Sequence, residues 1–114
     1  MPMANVQLGL LNGTVDLLVL RALAWGPQHG FAVARWIRTT SDDALVIEDR
    51  ALYLALHRIE ERGWVESSWG ISENNRRARY YRLTTAGRRQ FRSRSEHWTR
   101  YAEAVFKVLQ APAT

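Results

Sequence analysis

The positive charge of this chain is concentrated in one segment, and it is almost entirely arginine. Fifteen of the sixteen Lys and Arg residues are arginines, and eight of these fall between Arg76 and Arg94 with no acid among them. Because the formal net charge is +5, the chain without these eight would be mildly acidic. Guanidinium groups bind phosphate in a bidentate geometry, and each neutralised phosphate releases counterions. The cluster therefore predicts a phosphate-binding surface, and a solvated basic face is the alternative that composition leaves open.

Residue types give little support to catalytic or metal chemistry. The chain has no cysteine, and no two of its three histidines have the i, i+4 spacing of a zinc-binding helix. It has no glycine-rich phosphate loop and no Ser/His/Asp set at motif spacing. We therefore predict no catalytic residues, no metal and no cofactor. His29 is expected to cap a helix or to pack in the turn after Pro27.

Length and composition indicate a single globular domain, since 114 residues are 46% hydrophobic and 24% charged. No apolar run approaches the ~20 residues of a membrane span. The start, Met1 to Asn5, lacks the basic and then apolar regions of a secretory signal. We predict a cytoplasmic protein.

The spacing of apolar residues predicts three helices in the first half of the chain. The first covers residues 13–24 with Thr14 as its N-cap, and the second covers 29–39 with Phe31, Ala34 and Ile37 on its apolar side. The third covers 49–62, ends at Gly63, and places four apolar residues at i, i+3, i+4 and i+7: Leu52, Ala55, Leu56 and Ile59.

The pattern then changes to a hairpin followed by one long helix. Residues 64–69 and 79–83 alternate as strands do, and residues 70–75 have turn chemistry. Thr84 or Thr85 caps a final helix that reaches Gln110, and Gly87 in its first turn is a local weakness. The predicted fold is mainly α with a small β-hairpin. A winged helix-turn-helix domain covers 1–83, with an N-terminal arm over 1–12 and the wing over about 64–83, and a C-terminal dimerisation helix covers 84–114.

This order of elements predicts which residues meet DNA. In helix-turn-helix proteins the second helix of the motif enters the major groove, and its N-terminal half reaches the base edges. Arginine reads guanine O6 and N7, so Arg50 is the expected base contact; Leu54 suits a thymine methyl, and Tyr53 suits a phosphate. The wing arginines are expected on the backbone or in the minor groove. The predicted DNA-binding residues are Arg50, Tyr53, Leu54, His57, Arg58, Arg76, Arg77 and Arg79.

Three ordered motifs resemble the PadR-type transcriptional regulators. The turn Gly26-Pro27-Gln28-His29-Gly30-Phe31 resembles the family's Gly-Pro-x-His-Gly-Tyr. The segment from Leu52 through Glu60 to Trp64 resembles the family's recognition helix, and Arg79-Tyr80-Tyr81-Arg82-Leu83-Thr84 with Gly87 resembles the second wing strand and the next helix. The resemblance implies a DNA-binding regulator of the short subfamily, in which a single C-terminal helix mediates dimerisation.

The chain departs from the family pattern at two places on the predicted DNA-facing side. Arg50-Ala51 stands where the family usually has Gly-Thr, and Leu54 stands where it usually has Pro. Arg50 adds charge and reach at the helix start. The operator sequence therefore does not carry over from relatives.

The final helix carries an apolar stripe with heptad-like spacing, which indicates a helical partner. The predicted dimerisation residues are Phe91, Trp98, Tyr101, Ala102, Val105 and Leu109. Trp98 also has a second interpretation, as the aromatic wall of an effector pocket, because some short members of the family bind flat aromatic molecules there. Packing is favoured, since stripes at helical spacing usually mean packing.

Two functions from different classes follow. The favoured one is a homodimeric repressor that recognises an inverted-repeat operator and is released by a small aromatic effector, because a two-fold dimer places its recognition helices about one DNA turn apart. The alternative is a winged-helix module that binds an acidic protein, since the same scaffold serves protein contacts.

Overall fold

The computed structural model describes residues 12–113, so the predicted N-terminal arm, except for Asn12, lies outside the described residues. The elements are α1 (Asn12–Leu23), β1 (Gln28–His29), α2 (Gly30–Thr40), α3 (Asp49–Glu61), β2 (Val65–Ile71), β3 (Arg77–Leu83) and α4 (Thr85–Gln110). Three helices, a small antiparallel sheet and a long C-terminal helix confirm the predicted fold class. Among the described residues no helix is long and apolar enough to cross a membrane.

The core lies where the first three helices meet the base of the sheet. The predicted stripe of α3 is confirmed, because its four apolar residues are all buried. Val33 and Ile37 are the core residues of α2, and Phe31 is 63% exposed. The expectation that Phe31 lies on the apolar side was wrong: once Val33 and Ile37 face inward at i and i+4, Phe31 falls on another side of the helix. The main core residues are Val19, Leu20, Leu23, Val33, Ile37, Leu52, Leu56, Ile59, Val65, Tyr81 and Leu83.

Local hydrogen bonds define where the helices begin. His29 caps α2, because its Nδ1 accepts a hydrogen bond from the Ala32 N–H at 3.2 Å, which confirms its predicted capping role. Thr14 was expected to cap α1, but that helix already begins at Asn12 and Thr14 lies inside it. Gly63 has a φ of 76°, the left-handed conformation predicted for the residue after α3.

The sheet has three strands in the order β1-β3-β2, all antiparallel. Strand β1 was not predicted, because two residues are too few to show an alternating pattern. Strands β2 and β3 run from the Val65–Leu83 pair at the core to the Ile71–Arg77 pair at the tip. A five-residue connection, 72–76, joins them, and Asn75 within it has a φ of 59°.

A close backbone contact holds the start of α4 against the end of α3. Thr84 Oγ1 donates to the Gly63 carbonyl at 2.6 Å and accepts from the Gly87 N–H at 3.0 Å. A Cβ atom added to Gly87 would lie 1.9 Å from the carbonyl oxygen of Trp64. The sequence indicated Gly87 as a helix weakness, but the absence of its side chain is what allows α4 to approach.

A buried ion pair joins α1 to α3. Asp16 is a charged residue of the core, with 4% of its surface exposed. Arg58 donates to it from both ends of the guanidinium, at 2.6 Å to Oδ1 and 3.4 Å to Oδ2. The hydrogen bond to Asp16 raises the pKa of Arg58. The pair therefore supports the packing of α3 on α1 with a charge-assisted contact.

We predict that Gly87→Ala destabilises the protein, although alanine is the better helix former by about 1 kcal/mol. The Cβ would force the Trp64 carbonyl away and cost about 1–3 kcal/mol of unfolding free energy. Urea unfolding measures the change. Gly13→Ala in α1 is the matched control, because its Cβ would meet no atom of residues 12–113 within 4 Å, and it should leave stability unchanged or higher. Equal stability of Gly87→Ala and wild type would contradict the account.

We also predict that Asp16→Ala lowers the free energy of unfolding by about 2–3 kcal/mol. Removal of one partner from a buried pair leaves the other uncompensated, and the loss is moderated here because the Arg58 side chain is 33% exposed. Glu66→Ala is the control: Glu66 pairs with Arg82 at 2.7 Å, but both are exposed, so a change within roughly 0.5 kcal/mol is expected. If Asp16→Ala and Glu66→Ala lowered the free energy of unfolding equally in thermal unfolding, the Asp16–Arg58 pair would contribute no more than an exposed pair.

Candidate nucleic-acid interface

Helix α3 presents one side to the core and leaves the other open. The open side carries four of the predicted DNA-binding residues, and all four are exposed: Arg50, Tyr53, Leu54 and His57. This division follows from the buried stripe, since residues midway between its members point outward. His57 Nε2 lies 2.7 Å from the Glu61 carboxylate one turn later.

Arg58 differs from these four, because its guanidinium is held by Asp16. Its side chain extends toward α1, where Asp16 lies. The sequence placed Arg58 on the same face as Arg50 by spacing. The partner that engages it lies 42 residues away, beyond the reach of any local pattern.

The three predicted wing arginines have different surroundings. Arg76 lies in the exposed turn, and Arg77 stacks its guanidinium over the Trp69 ring at 4.4 Å from the centroid. Arg79 instead donates to Ser67 and Glu60 at the junction of the wing and α3. Within the described residues, Arg76 and Arg77 form no ion pair.

A cleft of about 450 Å³ separates α3 from the wing. Its walls are the start of α2, Tyr53 from α3, and the face of the sheet that carries Trp69 and Arg77. Gly30 is the close neighbour of Tyr53, since a Cβ there would lie 3.1 Å from the tyrosine ring. Aromatic side chains and two arginines, Arg77 and Arg79, thus line one cleft, a combination suited to a sugar-phosphate backbone.

Sequence reasoning missed two exposed aromatic residues beside this cleft, Phe31 and Trp69. Trp69 faces Arg79 across the strands and lies beyond the buried end of the sheet. The sequence signal for Trp69 was its position in the alternating pattern of β2, which precedes the arginine-rich strand β3.

Helix α4 carries a second candidate surface. Four of its predicted dimerisation residues are exposed along the helix (Trp98, Tyr101, Val105 and Leu109), and Phe106 and Val108, which were not predicted, are exposed with them. Ala102 is half-buried, and Phe91 packs against the core of its own chain. The apolar surface is therefore concentrated in the C-terminal half of α4.

Trp98 also borders a cleft of about 650 Å³ between α1 and α4. The lining combines Gly13, Thr14 and Leu17 with polar residues of α4 that include Arg94 and Arg100. Among residues 12–113 no group of three His, Asp or Glu side chains is placed to hold a metal ion.

Known proteins share both the sequence and the fold. The PadR-like transcriptional regulator family matches residues 19–93. A transcriptional regulator from Clostridium thermocellum is 32% identical with a TM-score of 0.75, over 83% of this chain and 92% of that one. A PadR family regulator from Eggerthella lenta is 30% identical with a TM-score of 0.72, over 88% and 85%. A PadR-like regulator from Bacillus cereus, at 18% identity, shares the fold with a TM-score of 0.77 over 90% and 97%.

The family match extends from α1 into α4 and includes the three motifs on which the resemblance was based. It also contains the recognition helix and the wing. This protein therefore belongs to the PadR-like family and is a DNA-binding transcriptional regulator, not an enzyme.

Proposed function

We propose that this PadR-family protein is a homodimeric repressor that binds an inverted-repeat operator through α3 and the wing. The observation that carries the proposal is the open side of α3, which lies next to a basic wing across an accessible cleft. A recognition helix in the major groove and a wing on the adjacent backbone would use both surfaces together.

Base recognition is assigned to the N-terminal half of α3. Arg50 is exposed in its first turn, where it can donate to guanine O6 and N7. Leu54, one turn later, offers an apolar contact for a thymine methyl, and His57 follows on the same side. Tyr53 lies beside Gly30 at the edge of the cleft, which favours a phosphate contact.

Backbone affinity is assigned to the wing turn and its neighbours. Arg76 and Arg77 are exposed, and the stacking of Arg77 on Trp69 holds its guanidinium before DNA arrives. Arg58 and Arg79 were predicted as DNA contacts, but acidic partners within the protein already engage them. We do not include these two in the proposed interface.

The exposed apolar residues of α4 support a dimer. Val105, Val108 and Leu109 border an almost entirely apolar depression with Tyr101 and Ala104. Apolar surface of this kind is stabilised when it is removed from water, and a second copy of the helix has the matching heptad spacing. The dimer would present two α3 helices to successive half-sites about 34 Å apart.

We further propose the cleft between α1 and α4 as the place of a small aromatic effector. Trp98 provides a flat aromatic wall, and its position on the proposed dimer helix would couple occupancy to the spacing of the two recognition helices. An acidic protein remains the alternative partner of the basic surface, and the DNA experiment below separates the two.

We predict that Arg50→Ala and Arg76→Ala weaken DNA binding in different ways. The probe is a duplex that the wild-type protein selects from a random pool, compared with a scrambled duplex by fluorescence anisotropy. Loss of a base contact should reduce discrimination by about 1–3 kcal/mol at one position of the site, so Arg50→Ala relaxes specificity. Loss of a phosphate contact should weaken binding to both duplexes and lower the salt slope by about 1, as expected for Arg76→Ala. Failure of the wild type to select any duplex, with capture of an acidic protein instead, would overturn the proposed function.

We predict that Val105→Glu dissociates the dimer into folded monomers, because an unpaired carboxylate would be placed in an apolar interface. Sedimentation velocity at micromolar concentration should show a dimer for the wild type and a monomer for the variant. Lys107→Gln changes the net charge equally on a neighbouring position of α4 outside the apolar stripe, and it should remain dimeric. A monomeric wild type would refute the dimer.

A further inference from the structure

The wing is joined to the recognition helix by a small polar network made of Glu60, Ser67 and Arg79. Ser67 Oγ donates to Glu60 Oε2 at 2.6 Å and accepts from Arg79 Nε at 2.8 Å. The Arg79 terminal nitrogen donates to both Glu60 oxygens, at 3.4 and 3.3 Å. One residue comes from the last turn of α3, one from β2 and one from β3, so the network connects three elements.

The network rests on a partly apolar support. The Arg79 guanidinium lies 5.8 Å from the ring centroid of Tyr81, which is a core residue. Burial raises the pKa of the Tyr81 hydroxyl. The Glu60 side chain is 29% exposed and that of Arg79 is 47% exposed, so the pair lies at the surface and its contribution is positional more than energetic.

The other charged contacts of the wing do not connect it to α3. The Arg82–Glu66 pair is formed between facing residues of β2 and β3, so it acts within the wing. The Arg35–Glu73 contact is longer, 3.9 Å, and exposed. Among the described residues, the Glu60–Ser67–Arg79 network is the side-chain hydrogen-bonded link between α3 and the wing.

We propose that Glu60 and Arg79 are positioning residues, which fix the wing relative to α3 so that base and phosphate contacts are made together. The proposal rests on the proposed DNA interface. A wing that moved freely would have to be ordered on binding, and that entropy would be subtracted from the affinity. Arg79 would then contribute through geometry, whereas Arg76 and Arg77 contribute through charge.

Substitution of Glu60 provides a test, because a positioning role and a purely electrostatic role predict opposite changes in DNA affinity. Removal of a carboxylate near DNA should strengthen binding if only charge matters, since it makes the surface more positive. If Glu60 positions the wing, Glu60→Gln should weaken binding to the selected duplex by roughly three- to tenfold, as for loss of a charged hydrogen bond that is partly exposed. Glu66→Gln is the matched control: it removes the same charge from an exposed pair within the wing, outside the network, and should bind the duplex as tightly as wild type or more tightly.

Conservative variants separate positioning from direct contact and from simple loss of structure. Arg79→Lys keeps the charge but loses the planar fork, so it should weaken binding about as much as Glu60→Gln, whereas a phosphate contact would tolerate lysine better. Ser67→Ala should weaken binding, and Ser67→Thr, which retains the hydroxyl, should restore much of it. The salt slope should stay at the wild-type value in Glu60→Gln and in Arg79→Gln, which removes the charge, because no phosphate contact is lost. Thermal unfolding and sedimentation check that each variant is folded and has the wild-type oligomeric state.

Anisotropy titrations of the full chain on the selected and scrambled duplexes give the result. The proposal is supported if Glu60→Gln weakens binding to the selected duplex while its binding to scrambled DNA is unchanged. Equal or tighter binding by Glu60→Gln would overturn the proposal. A salt slope lowered by about 1 in Arg79→Gln, together with near wild-type binding by Arg79→Lys, would also overturn it and make Arg79 a phosphate contact. If the wild-type protein selects no duplex, the proposed function itself fails, and that result is distinct from either outcome.

Discussion

Helix α3 has to bury one side in the core and leave the other side exposed, and most of the structure follows from that constraint. Its apolar stripe is buried by α1, α2 and the base of the sheet, which leaves the opposite side to solvent. Two polar contacts near the C-terminal end of the helix add to this packing. Asp16 holds Arg58 from the α1 side, and Glu60 is joined to the wing through Ser67 and Arg79. The side chains proposed to read bases are thus presented by a helix that is fixed by packing and by two polar contacts.

The arginines of this chain divide into two groups with different physical roles. Arg58, Arg79 and Arg82 have carboxylate partners within the chain, so part of their charge is already compensated. Arg76 and Arg77 are exposed without such partners in the described part of the chain, and they remain available to phosphate. Charge content alone therefore overestimates how many arginines are available to phosphate, because a guanidinium with a good internal partner gains less from a phosphate.

The C-terminal helix connects the DNA-binding half to the proposed dimer. Its first turn is fixed by Thr84 and by the close approach of Gly87 to Trp64, so movement of α4 would be transmitted to the end of α3 and the start of β2. Farther along, α4 leaves the core and exposes apolar residues. This arrangement would connect the proposed dimer partner, or the proposed effector beside Trp98, to α3 through the start of α4.

The order and type of the main elements were predictable from the sequence alone. Periodicity identified α3 and its buried stripe, Thr84 marked the start of α4, and Gly63 marked the end of α3, because these signals are local. Three motifs in order were sufficient to identify the family. Only the tertiary structure shows which arginines have carboxylate partners and why a side chain at Gly87 would clash. It also shows that Phe31 and Trp69 are exposed. Asp16 and Arg58 are 42 residues apart, and Glu60 and Arg79 are 19 apart. Such pairs form only when separate elements pack together, so no local pattern of residue types can reveal them.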